Sequence, residues 1–198
     1  MTDTAHKNGT TPGTVPVWDR LVRVFHWSLV AAFAVAWLSA DELDALHRFA
    51  GYGIASLVAV RLVWGVIGTQ PARFVRFVKG PRATLAYLGD MVRGHERRYL
   101  GHNPAGAAMI VVLLAALSGT AFTGWLSDEP ARLALVPGAA WAGKDLMEDL
   151  HEVLANFLMF FVVLHLGGVI VASVRHRENL ARAMITGDKR APAPGDIA

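Results

Sequence analysis

The sequence predicts an all-α integral membrane protein, an up-down bundle of four spanning helices. Three observations predict it. Of 198 residues, 54% are apolar and only 18% charged, with a mean hydropathy of +0.37, an unusual balance for a soluble domain. Four apolar runs each come close to the roughly 20 residues that cross a bilayer as a helix. Lysine and arginine then concentrate on alternate connections, as a threaded chain requires.

Residues 1–16 carry no apolar run and are expected to be disordered, as are residues 191–198. The span 17–190 reads as a single membrane domain. Its first helix is expected over about 20–40. The apolar part, 24–40, is short, but WDRLVR extends it at its entrance. No small-residue cleavage site precedes the acidic DELD that closes it, so it reads as a retained helix rather than a signal peptide. The second helix is expected over 46–68. The segment PRATLAYLGDMVRG, about 80–94, sets Leu85, Leu88 and Met91 on one face. It reads either as an amphipathic helix on the membrane surface or as a solvated loop helix. The third helix, about 104–126, opens on Pro104, whose missing N–H is no loss in a first turn. The fourth is expected over 150–174. Trp18, Trp27, Trp64, Trp125 and Trp141 fall near run ends, as interfacial aromatics do.

Charge sets the orientation. The N-terminal segment, the 69–103 connection and the tail after residue 174 hold 15 of the 19 Lys and Arg. The 41–45 turn is acidic, and the 127–149 connection has five acids against Arg132 and Lys144. Both termini are therefore expected in the cytoplasm of a cell whose inner membrane the chain spans. The formal charge of +3 follows from this distribution, and no nucleic-acid partner is expected.

The most informative spacing is His151 to His165, within HEVLANFLMFFVVLHLGG. Fourteen helical residues rise about 21 Å and complete four turns less roughly 40°. The two imidazoles thus share a side of one helix at well-separated depths. His26 lies just inside the first helix on the cytoplasmic side, and His47 opens the second on the other. Depth pairs His26 with His165 and His47 with His151. Packing explains a single buried histidine, but four that pair by depth on three helices suit ligands better. Two imidazoles without carboxylate or thiolate are a poor zinc or non-haem iron set. Glu152 makes no zinc-protease motif, since position 155 is alanine. The arrangement fits the axial ligands of two b-type haems stacked between the helices. With no cysteine in the chain, such haems would be bound non-covalently, and disulfides and iron–sulfur clusters are excluded.

Arg61 repeats the fourteen-residue step from His47. It reads either as the partner of a haem propionate or as an arginine snorkelling to headgroups beside Trp64. Gly51, Gly53, Gly119, Gly124, Gly167 and Gly168 suit a flat cofactor or plain helix contact. His102 is read as a solvated surface group or a contributor to a quinone site at the inner surface.

At these residues the chain resembles the prokaryotic cytochrome b561 family, with which the cytochrome b subunits of nickel–iron hydrogenases and formate dehydrogenases are grouped. The matching stretches are RVFHW at 23–27, HRFAGYGIASLVAVRLVWGVIG at 47–68 and GHNPAGAAM at 101–109. LHEVLANFLMFFVVLHLGG at 150–168 and ENLARAMITGDKR at 178–190 also match. The resemblance implies a four-helix bundle binding two b haems, with His26, His47, His151 and His165 as axial ligands. It also implies electron transfer between quinone and a redox partner. The leading expectation is a respiratory or redox-chain cytochrome linking the quinone pool to a periplasmic protein such as a c-type cytochrome. The alternative is a quinone-linked oxidoreductase acting on a small substrate such as superoxide at the outer haem, and a haem-free anchor is the third reading.

Overall fold

The computed structural model describes residues 13–136, 141 and 143–197. Four long helices make the bundle: α1 (Arg20–Ser39), α2 (Asp44–Ile67), α5 (Pro104–Asp128) and α6 (Lys144–Arg175). All four are long and apolar enough to cross a membrane. Between α2 and α5 lie the short α3 (Phe74–Phe77) and the surface helix α4 (Pro81–Arg93), and α7 (Leu180–Thr186) follows α6.

Local chemistry sets the helix starts. Asp19 caps α1 by accepting from the Val22 amide at 2.8 Å, and Asn103 caps α5 by accepting from Gly106 at 2.7 Å. Pro104 occupies the first turn of α5, as expected. The fourth helix begins at Lys144 rather than near 150, because KDLMEDL continues the helix beyond the apolar run.

The core joins Ala36 of α1, Ala50, Ile54 and Val58 of α2, Leu114 and Leu117 of α5, and Leu158 of α6. Packing is uneven around the bundle. α5 lies closely on α6, α1 on α2, and α2 on α5, whereas α6 meets α1 and α2 only sparsely. A slot therefore runs between α6 and the α1–α2 pair. Outward faces carry exposed apolar side chains such as Leu38, Phe49, Val66 and Val163, the surface that lipid covers. α4 buries Tyr87 and exposes Leu85, Leu88 and Val92, which suits a helix lying at the bilayer interface.

The termini correct one expectation. Residues 14–16 and 191–197 are not disordered; residues 1–12 and 198 lie outside the described residues. β1 (Thr14–Pro16) pairs antiparallel with β2 (Asp188–Arg190), and Ile197 exchanges backbone hydrogen bonds with Arg98 and Leu100. A buried ion network holds the tail. Arg98 grips Glu178 through Nε and Nη2 at 3.2 and 2.7 Å, pairs with Asp196, and donates to the Arg190 carbonyl at 2.8 Å. Lys189 donates to the carbonyls of Tyr99 and Leu100 at 3.0 and 2.9 Å.

Removing Arg98 leaves the Asp196 carboxylate without its ion-pair partner and Glu178 with Lys189 alone, and breaking a buried pair costs roughly 3–5 kcal/mol. Arg98→Ala is therefore expected to lower the melting temperature of the purified protein and to expose the tail to limited proteolysis. An unchanged melt and an uncut tail would show the network to be dispensable.

Candidate haem-binding sites

His47 projects from the first turn of α2, and His151 from the third turn of α6. Their ring centres lie 5.9 Å apart, with the rings at 82°. Each ring is held through Nδ1 by a backbone carbonyl, Ala36 O for His47 and Thr120 O for His151, both at 2.8 Å. An Nδ1–H donating to a carbonyl leaves the Nε2 lone pair free, the tautomer a metal-ligating imidazole needs. Gly124 of α5 backs His151: a Cβ built there would lie 2.8 Å from His151 Cε1 and 2.9 Å from Nδ1. Only a residue without a side chain allows the ring this position.

Toward the opposite end of the slot, His26 of α1 lies within electrostatic reach of His165 of α6. His26 Nδ1 is buried without a hydrogen-bond partner. The fourteen-residue step along α6 thus faces His47 of α2 with His151 at one end and sets His165 within electrostatic reach of His26 at the other. A Cβ at Gly51, Gly53, Gly167 or Gly168 would meet nothing within 4 Å, so no side chain closes on these glycines of α2 and α6. Among the described residues no cluster of three or more His, Cys, Asp or Glu could hold a metal ion; the candidate donors come as imidazole pairs.

Arg61 is 3% exposed, which rules out snorkelling to headgroups. Its Nη2 donates to Ala72 O at 3.2 Å, its guanidinium lies 4.7 Å from the Phe74 ring centre, and Nη1 is buried without a partner. Asp19 balances it electrostatically. The Asp19 carboxylate also accepts from Trp64 Nε1 at 3.2 Å and from the Thr69 hydroxyl.

His102 is no solvated surface group. It is sandwiched between Trp18 and Phe77 at ring-centre distances of 4.5 and 4.4 Å. Burial, followed by the nearby cations Arg61 and Lys189, pushes its pKa down to about 3, so the ring stays neutral at physiological pH.

On the other side, Asp128 gathers Arg48 at 3.1 Å, the Tyr52 hydroxyl at 3.0 Å and Arg132 at 3.3 Å. Arg132 also donates to Trp125 O at 2.7 Å, fastening the 130–135 turn to the end of α5. Sequence reading missed this cluster, since Arg48 and Tyr52 lie 80 and 76 residues from Asp128 without a periodic signal. Around it Asp41, Glu42, Asp44, Glu129, Asp145, Glu148, Asp149 and Glu152 are all exposed.

No curated protein and no solved structure matches the chain. The family model described as prokaryotic cytochrome b561 matches residues 17–187, a span that holds all four long helices and both histidine pairs. The chain thus belongs to the prokaryotic cytochrome b561 family, and is a multi-pass membrane b-type cytochrome of electron transfer.

Proposed function

We propose that the chain carries two non-covalent b haems in the slot between α6 and the α1–α2 pair. His26 and His165 ligate one, His47 and His151 the other, and electrons pass between membrane quinone and a periplasmic redox protein. The observation that carries this reading is the pair of imidazole couples at opposite ends of α6. The 5.9 Å between the His47 and His151 ring centres leaves room for a metal between them at imidazole–metal bond lengths of about 2 Å, so these two residues would hold one haem. Bound haem supplies a one-electron couple. Held by two histidines, it would leave no open position for oxygen and would favour outer-sphere transfer. The carbonyls of Ala36 and Thr120 fix the ring tautomers and raise imidazole basicity. Arg61, with its free Nη1, would offset a propionate charge at the first site's level.

The acidic rim around the His47–His151 end suits a basic partner such as a small c-type cytochrome. It disfavours a small anion such as superoxide, because Arg48 and Arg132 are both committed to Asp128. Quinone would be met at the opposite end, where neutral His102 lies under the surface.

The test is haem content and spectrum. The purified protein is expected to hold two haems per chain, low-spin in both redox states and unreactive to carbon monoxide. A ratio of one, or a ferrous form that binds carbon monoxide readily, would sink the reading.

Orientation follows from charge, with both termini on the cytoplasmic side. Reporter fusions after residues 45, 90, 140 and 190 are expected to read outside, inside, outside and inside. The reverse pattern would exchange the compartments served by the two sites.

A further inference from the structure

Where α6 ends, the chain forms an open recess of about 590 Å³. Arg98 contributes from the 94–103 connection, Arg175, His176 and Arg177 from the α6–α7 turn, and Arg190 and Asp196 from the tail. Pairing divides these charges. Arg98 is matched to Glu178 and Asp196, and Lys189 beneath them also pairs with Glu178. Arg175 pairs with Glu96 at 2.8 Å. Among the described residues, Arg177 and Arg190 form no ion pair, and Asp196, already paired with Arg98, acts on Arg190 only electrostatically, so the recess keeps a net positive charge.

Arg177 holds an unusual position. The Glu178 amide donates to Ser173 O at 3.0 Å and the Arg177 amide to Val174 O at 3.3 Å, the double hydrogen bond that closes many helices. Its middle residue must be left-handed and is commonly glycine. Here φ is 49°, and Arg177 is the sole non-glycine with positive φ among the described residues. The backbone gains nothing from arginine at this position, so the side chain is what the position supplies. A cation to offset the helix dipole is already present in Arg175.

We propose that this recess binds the phosphate of an anionic phospholipid headgroup. The guanidinium forks of Arg177 and Arg190, neither held in an ion pair, match a phosphate in charge and hydrogen-bonding geometry. The recess also opens at headgroup level. Arg175 is the last residue of the membrane-spanning α6 and donates to the carbonyl of Met91 in α4. That helix presents Leu85 and Val92, 68% and 84% exposed, to the bilayer interface. No Phe, Tyr or Trp side chain lines the recess, so its cationic forks suit a phosphate better than its lining suits a nucleotide base. Basic pockets beside spanning helices are a recognised form of anionic-lipid site.

Native mass spectrometry of the haem-loaded protein tests this, with phosphatidylglycerol and phosphatidylcholine as the added lipids. The wild type is expected to prefer phosphatidylglycerol by about tenfold or more, a difference worth roughly 1.4 kcal/mol. Arg177→Gly combined with Arg190→Gln should abolish that preference. Arg177→Gly alone should weaken it several-fold while the melting temperature holds or rises, since glycine adopts this φ freely. The exposed pair Arg76→Gln and Lys79→Gln, outside the recess, should leave it intact. In a parallel arm, inorganic phosphate is titrated in lipid-free detergent. Stabilisation of the wild type but not the double variant, without any lipid preference, would keep the phosphate site and assign it a soluble source. Undiminished preference in the double variant, or equal loss in the Arg76/Lys79 variant, would overturn the proposal.

Discussion

Alanine at His47 or at His151 is expected to remove the same haem, and alanine at His26 or His165 the other. Each loss leaves an iron face open in an apolar slot, and no cysteine is available to tether the cofactor. Haem content should fall from two per chain to one, with one redox midpoint surviving in each variant. The pairing rests on the 5.9 Å approach of His47 to His151 and on His165 as the electrostatic neighbour of His26. His102→Ala is the matched control, because its ring packs between Trp18 and Phe77 and belongs to neither couple. The decisive comparison is His26→Ala against His47→Ala. Should these two abolish the same midpoint, the two-level arrangement along α6 would be wrong.

What sequence reading caught and what it missed divide along physical lines. The four spanning helices were legible because bilayer thickness imposes a length and a composition that local polarity cannot disguise. The approach of His47 to His151 was legible because helical rise converts residue spacing into depth. The start of α6 was less so: KDLMEDL is helical but charged, and hydropathy ends where the bilayer does. The strand pair joining 14–16 to 188–190 was invisible. Three-residue strands carry no usable alternation, and their pairing is set by tertiary contact. The Arg98 network has the same character, since Arg98, Glu178 and Asp196 meet only once the bundle has brought the middle connection beneath the tail. The Nδ1 acceptors of His47 and His151 had no signal at all, being backbone carbonyls of Ala36 and Thr120, positions where any residue supplies the same atom.

Gly124 shows how far a helix-packing explanation of a glycine can fall short. A small residue in a spanning helix is ordinarily read as room for the neighbouring backbone. At Gly119 that reading suffices: an added Cβ would meet Leu154 Cδ1 at 3.3 Å, a flexible side-chain end that can yield. At Gly124 the neighbour is the His151 ring itself, at 2.8 and 2.9 Å. That ring cannot retreat without losing the 2.8 Å hydrogen bond from Nδ1 to Thr120 O, and with it the orientation of Nε2. Gly124→Leu is therefore expected to release the His47–His151 haem as fully as His151→Ala does. The smaller Gly124→Ala should shift that haem's midpoint and weaken its retention. Both variants should leave the His26–His165 midpoint in place, and Gly119→Ala should leave both. Potentiometric titration with haem quantitation reads all of these at once. If Gly124→Leu retained two haems with unaltered midpoints, His151 would not be the ligand that α5 positions.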